Sequence, residues 1–400
     1  MARQIVTGID IGTSQTKVII AEGFFDNNHF LPRIIGTGTA ESKGLSRGYI
    51  TNPSEAAISI KAAVSRAEKT AGIKVRQAYV SIGGAGLASI TTEGSIAISR
   101  PDMEITERDL ALVLEAAELT IPKEHSVNRK VINTIPIEYK IDGKPVLGQA
   151  LGLKAQKLEA KALFITCLEH HLRDLIQAAE EAGIGVIDVV AGPVAASFVT
   201  LSKRQKRVGA LLADFGAETT SIVVFENGNL LSLGVLPVGG ADITNDIALG
   251  FKISLEEAEN VKVGHTGRAT FPKKKYDDMV SSKMRATFES VNQHLKAIGR
   301  DSLLPAGIIM TGGGAGLSGI KGFAENSLKL PSQIGEINFN SKEGGRISSN
   351  VWAVACGLSI VGFNTDEEQS MIGSKDGVLS AESGKRWLKK ITKAITQFLP

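Results

Sequence analysis

The chain is predicted to be an α/β protein built from two related domains that face each other across a cleft. Two observations predict this. Asp10-x-Gly12-x-x-x-Thr16 recurs as Asp214-x-Gly216-x-x-x-Thr220, each time between β-forming apolar runs, which is an internal repeat of about 200 residues. A third glycine cluster, Thr311-Gly312-Gly313-Gly314-Ala315-Gly316, follows the strand-like run Ala306–Met310. The 400 residues allow two or more domains, and 43% hydrophobic with 22% charged residues is ordinary for a globular chain.

From the N-terminus, Gln4–Ile11 and Thr16–Ala21 are predicted strands around a polar turn, Gly12–Gln15. Pro53–Gly72 is a predicted helix, capped by Asn52 or Ser54, with Ala56, Ile60, Ala63, Val64 and Ala67 near one face. Gln77–Ile82 is a further strand. Residues from about Gly83 to Thr166 form a unit of their own. It has short strands in Ala88–Ser99, a helix over Thr106–Leu119, and strand-like pieces in Lys130–Ile141 before a hairpin turn at Asp142-Gly143. A helix over Glu169–Ala182 ends at Gly183, and Val208–Phe225 restarts the strand, turn, strand pattern.

A phosphate chain needs backbone N–H donors, small residues that let the backbone approach, and hydroxyls. Gly12-Thr13-Ser14 with Thr16 and Lys17, and Gly216-Ala217-Glu218-Thr219 with Thr220, supply these on two opposed turns. Asp10 and Asp214 end the incoming strands; they are the candidate catalytic positions, suited to hold magnesium through its waters. One such turn is weak evidence, but two in register point to nucleotide binding. Glycines 312–314 and Ala315 would let the backbone meet a base or a ribose. The overlapping Gly314-x-Gly316-x-x-Gly319 also fits a dinucleotide loop, but it stands alone and late in the chain, and no P-loop pattern occurs.

The two cysteines, Cys167 and Cys356, lie far apart in apolar stretches and read as core thiols of a reducing compartment; the histidines are scattered, so no all-protein metal site is expected. The net charge is +3, but Lys385–Pro400 carries five basic residues and no acidic one, leaving the body at −2. A nucleic-acid surface is therefore not expected. The opening MARQIVTGIDIGT runs straight into strand-like sequence without leader character, and the longest apolar run, Val351–Phe363, is too short to span a bilayer. A cytoplasmic body is expected.

In this order the features resemble the actin, Hsp70 and sugar-kinase superfamily, whose fold is a duplicated ribonuclease-H-like unit. Ala191–Leu201 and Ser349–Phe363 are similar to its two connecting helices, and Glu259-x-x-Lys262 to the pair flanking adenine. A solvated salt bridge on one helix face is the plain alternative for that pair. Within the superfamily the resemblance to the FtsA family is close and covers nearly the whole chain. It rests on Arg47-Gly-Tyr-Ile50, Val80-Ser-Ile-Gly-Gly84, Ile105-Thr-Glu-Arg-Asp109, Ile135-Pro-Ile-Glu-Tyr139 and the segment Val238–Ala248.

The resemblance implies an actin-like fold with an inserted subdomain. Residues 1–83 and 350–363 would form subdomain 1A, 84–166 the insert 1C, 167–240 and 305–349 subdomain 2A, and 241–304 a shortened 2B. It also implies ATP and Mg²⁺ as ligands, with Gly239 and Gly240 joining Glu259, Lys262 and the third glycine cluster around adenosine. The implied partners are the C-terminal peptide of FtsZ, further copies of the chain in a filament, anionic lipid and other division proteins. The implied place is the inner face of the cell membrane at the septum. Two departures bear on this. Gly192 stands before Pro193, where many superfamily members carry the Glu or Gln that orients the attacking water, so at most weak ATPase activity is expected. Only a short Lys-rich stretch, Gly267–Asp278, precedes a helix expected near Ser281, with Lys283 and Phe288 at the loosely matched peptide-contact helix.

Residues 364–383 read as a linker, followed by an amphipathic helix over 384–400. Trp387, Leu388, Ile391, Ala394, Ile395, Phe398 and Leu399 would cover an arc of roughly 140°. Lys385, Arg386, Lys389, Lys390 and Lys393 fall on the rest, the pattern of a helix lying in an anionic membrane surface. A small-molecule kinase of the superfamily and a PilM-like pilus scaffold are the competing readings, and neither accounts for this tail.

Overall fold

The computed structural model describes residues 4–26, 29–146, 148–264, 271–337, 339–341, 346–347 and 349–371. The expected linker beyond residue 371 and the whole of the expected membrane helix lie outside the described residues. Each of two lobes is built on its own sheet, and a third, smaller sheet belongs to the insert.

The first lobe carries seven strands in the order Gly185–Ala191, Gln77–Ile82, Gln4–Ile11, Gln15–Asp26, His29–Glu41, Phe339–Ser341, Arg346–Ile347. Pro53–Ala71 is the helix that covers it. Asn52 caps it by accepting the Glu55 N–H at 3.3 Å, Pro53 sits in the first turn, and Gly72 ends it with φ 73°. Ala56, Ile60, Ala63, Val64 and Ala67 are buried against the sheet. Gly38 makes that contact close: a Cβ there would lie 2.0 Å from the Ala63 carbonyl oxygen.

Two assignments differ from the sequence expectation of a second subdomain over 167–240 and 305–349. Strand Gly185–Ala191 pairs in parallel with Gln77–Ile82, and Phe339–Ser341 pairs in parallel with His29–Glu41, so both complete the first sheet. The chain thus returns from the insert to its parent lobe and crosses over only at helix Gly192–Thr200. Helix Ala353–Met371, which crosses back, also runs on past the expected start of the linker at residue 364. These two helices meet closely: a Cβ on Gly357 would lie 1.9 Å from the Ala195 carbonyl oxygen.

The second lobe repeats the plan with five strands, Asn229–Leu236, Thr220–Glu226, Ala210–Phe215, Ile308–Thr311 and Ser332–Ile334. Helices Gly240–Phe251, Leu255–Val263, Lys273–Ala297 and Ile320–Leu328 complete its core. The helix expected near Ser281 starts at Lys273. Phe288, expected on a binding surface, is fully buried edge-on against Phe215, and Lys283 pairs with Asp246 at 3.2 Å. Lys206 is also buried, its ammonium 4.8 Å from the ring centroids of both Phe198 and Phe225 and without a hydrogen-bond partner.

The insert is a four-stranded antiparallel sheet, Ala88–Ala97, Lys157–Leu168, Arg129–Ile141 and Lys144–Pro145, with helix Glu107–Leu119 on one face. Asp109 fixes the start of that helix, accepting from the Thr106 N–H at 2.8 Å and from Arg100 at 2.6 Å. Val113, Leu114, Ala117 and Phe164 are in its own core, whereas Ile135, Leu163 and Ile165 join the main core shared by both lobes. Cys167 and Cys356 are buried and unpaired.

Candidate functional site

The repeated hairpins open into one cleft of about 1050 Å³. In the first, Asp10 is paired in register with Lys17, whose ammonium lies 3.4 Å from the carboxylate. Ser81, on the neighbouring strand, donates its hydroxyl to Asp10 Oδ1 at 2.9 Å and accepts the Ile11 N–H at 3.2 Å. The Gly12 N–H donates to the Gln15 carbonyl and closes the turn.

The second hairpin is closed the same way, Gly216 N–H to Thr219 carbonyl at 2.8 Å. The first turn of helix Gly240–Phe251 braces it, with the Gly240 and Ala241 N–H groups donating to the Gly216 and Ala217 carbonyls. Asp214 lies opposite Asp10. Burial and the charge of Asp10 push its carboxyl up to about 6, against a partial offset from Lys17. Gly312, with φ 82°, passes so close that a Cβ would lie 2.2 Å from Asp214 Oδ1. The third glycine cluster therefore abuts the second carboxylate.

Glu259 and Lys262 form an ion pair at 2.7 Å that is tied into the cleft wall. Thr244 donates to Glu259 at 2.6 Å, and Lys262 donates to the Gly240 carbonyl at 3.0 Å. Burial raises the Glu259 carboxyl, but hydrogen bonds from Lys262 and Thr244 outweigh it and hold the group below its ordinary value. A freely solvated surface pair does not describe this arrangement.

Of the residues singled out in the sequence, Asp10, Gly12, Thr13, Ser14, Lys17, Asp214, Gly216, Ala217, Glu218, Thr219, Gly240, Glu259, Lys262 and Gly312–Gly314 line the cleft. Thr16 shares a hydrogen bond with Ser42, Thr220 donates to the Val238 carbonyl, Gly239 packs on Ala217, and Ala315 is buried; these four do not line it. Ser81, Asn245, Leu255 and Leu317 line the cleft without having been singled out. Ser81 lies in the run Val80–Gly84, but nothing local marks its contact with Asp10, which lies some seventy residues away in sequence. Gly192 lines the cleft too, and a Cβ there would meet nothing closer than 3.6 Å.

Chemically, the cleft offers two facing carboxylates, one of them raised by burial and by the charge of the other, beside two turns rich in N–H groups and hydroxyls. A hydrated divalent cation with an anionic phosphate chain fits that donor set. Among the described residues no cluster of three or more His, Cys, Asp or Glu forms an all-protein metal site. No described helix is long and apolar enough to cross a membrane.

Comparison with known proteins relates the chain to named families. A family model described as cell division protein FtsA matches residues 211–357, and one described as the SHS2 domain inserted in FtsA matches 84–166. Cell division protein FtsA of Bacillus subtilis is 31% identical over 84% of this chain and 79% of its own length. This chain belongs to the FtsA family. The family's cell division protein from Pseudomonas aeruginosa is 27% identical over 98% of this chain and 95% of its own. Among solved structures, the PilM–PilN type IV pilus biogenesis complex matches with TM-score 0.66 at 20% identity, covering 90% of this chain and 99% of that one. MreB5 of Spiroplasma citri bound to ADP matches with TM-score 0.52 at 12% identity, covering 93% and 99%. The fold is thus that of the actin-like ATPases, carrying the insert of the FtsA family.

Proposed function

We propose that this FtsA-family chain binds Mg–ATP between its lobes, polymerises, and tethers FtsZ filaments to the inner face of the cytoplasmic membrane at the septum. The observation that carries the nucleotide part is the convergence of Asp10 and Asp214, one from each repeat, on a single cleft. Magnesium would neutralise phosphate charge there. Asp10 and Asp214 would hold its waters, the two turns would take the phosphates, and Glu259, Lys262 and Gly312–Gly314 would surround the adenosine. Without a carboxylate or amide at Gly192 to orient water, turnover would be slow, and ATP would serve chiefly as a structural ligand of the assembling subunit.

The tethering part rests on family membership and on the tail. The apolar arc from Trp387 to Leu399, opposite five basic residues, suits the surface of an anionic bilayer. One such helix binds weakly, and a filament presenting many of them binds firmly. Co-sedimentation with anionic vesicles, comparing the full chain with one truncated after Ser383 with and without Mg–ATP, tests the reading. The full chain is expected to pellet and the truncated chain to stay in solution. If both stay in solution, the tail is not an anchor and the tether falls.

A further inference from the structure

We propose that Glu218 is a latch that ties the phosphate turn of the second lobe to the root of the insert. Its carboxylate accepts the main-chain N–H of Arg47, a residue of the opposite lobe. Arg47 and Gly48 form the tip of the small ribbon Leu45–Ser46 and Tyr49–Ile50, with φ of 48° and 78°. That tip rests directly on the chain entering the insert: a Cβ on Gly48 would lie 2.6 Å from Gly84 Cα, so no side chain separates the two backbones. Five residues on, Ser89 docks the first insert strand on the second lobe. Its hydroxyl donates to the Leu233 carbonyl at 3.1 Å and accepts the Leu233 N–H at 2.8 Å.

The path is continuous: Glu218, Arg47, Gly48, Gly84, Ser89, Leu233. It begins on a turn that lines the cleft and ends on an edge strand that the insert covers. Ile135, Leu163 and Ile165 of the insert share one apolar core with Leu230 and Leu233 of the second lobe, so the packing at this seam depends on how the Ser89 junction is held. A polyanion drawn into the turn around Gly216–Thr219 competes electrostatically with the Glu218 carboxylate. Displacing that carboxylate frees Arg47, relaxes the ribbon on Gly84, and loosens the Ser89 junction. The latch in this way makes the placement of the insert depend on what fills the cleft. The nucleotide arm of the inference rests on the function proposed above, whereas the mechanical arm does not.

Hydrogen–deuterium exchange on the full chain tests it, in wild type, Glu218→Ala, Glu218→Gln and Ser89→Ala, without ligand and with Mg–ATP. Glu218→Ala is expected to raise exchange about fivefold, the worth of one ordinary hydrogen bond, both at 45–50 and at 84–97. Glu218→Gln keeps an acceptor and should restore most of the protection. Ser89→Ala, which leaves the cleft lining intact, should raise exchange at 84–97 and 229–236. Mg–ATP added to wild type should raise exchange at 45–50 and 84–97. If Glu218→Ala alters nucleotide release but leaves 84–97 unchanged, Glu218 is a cleft residue only and the latch is overturned. If wild type takes up no nucleotide, the nucleotide reading fails, while the ligand-free comparison still decides the latch.

Discussion

Ser81 holds Asp10 by one oxygen, 2.9 Å from hydroxyl to carboxylate, while the same hydroxyl accepts the Ile11 N–H. The strand Gln77–Ile82 thereby fixes the rotamer of a carboxylate on its neighbour. Ser81→Ala is expected to raise the dissociation constant for Mg–ATP about tenfold, since a hydrogen bond to a charged group is worth about 1.5–3 kcal/mol. Titration with a fluorescent ATP analogue measures it. Binding unchanged within twofold would mean that Asp10 is positioned by Lys17 and its backbone alone.

Asp214 sets a pH dependence. Its carboxyl stands at about 6 in the folded chain against an ordinary value of 3.8. The folded state therefore binds the extra proton, and this stabilising contribution is complete below about pH 4 and lost as pH rises through 6. Asp214→Asn should accordingly stabilise the ligand-free protein at pH 7 by about 1–3 kcal/mol, with the difference from wild type vanishing near pH 4. The proposed hold of Asp214 on hydrated magnesium would need the ionised form, so affinity for Mg–ATP should fall as pH drops below 6. Calorimetric melting and binding titrations between pH 4 and 8 read both effects with opposite sign.

Lys206 lies between Phe198 and Phe225 with no hydrogen-bond partner, and burial pushes its ammonium down to about 7 from 10.5. For this depressed base the unfolded chain binds the proton more readily, so stability is lost as pH falls from 10.5 to 7. Lys206→Met keeps the stem and removes the charge. It should stabilise the protein at pH 7 by about 2–4 kcal/mol and flatten the melting curve between pH 7 and 10. An unaltered pH profile would place the amine in contact with solvent.

Gly192 opens a further test. It begins helix Gly192–Thr200 at the cleft, and the nearest atom to a Cβ there would be the Ile82 carbonyl oxygen at 3.6 Å. Gly192→Gln is therefore expected to fold and to raise ATP turnover toward the about 100-fold contribution of a positioned catalytic group. Phosphate release under single-turnover conditions checks this, and an unchanged rate would show that water is not held at this end of the helix.

How much of this was legible in the sequence follows from the range of each interaction. The two hairpins were legible because Asp, Gly and Thr recur at fixed local spacing between β-formers. Helix Pro53–Ala71 was legible through its cap, its proline and its apolar face. The start of helix Lys273–Ala297 is not legible because its first turn is three lysines, which carry no apolar periodicity, although buried Val280, Met284 and Phe288 hold the rest in place. The lobe of strand Gly185–Ala191 is not legible locally, because its sheet partner, Gln77–Ile82, lies on the far side of the insert. Ser81, the Arg47–Glu218 contact and the Ser89–Leu233 pair are all long-range, and no spacing encodes them.

The crossing of Gly357 over Ala195 limits how the two lobes can move. Helices separated by a layer of side chains can slide, because rotamers repack as they go. Here backbone rests on backbone, which leaves no such layer. Sliding at that crossing is therefore blocked, so a ligand that closes the cleft would turn the lobes there as the blades of scissors turn about a rivet, with their distal edges sweeping the larger arc.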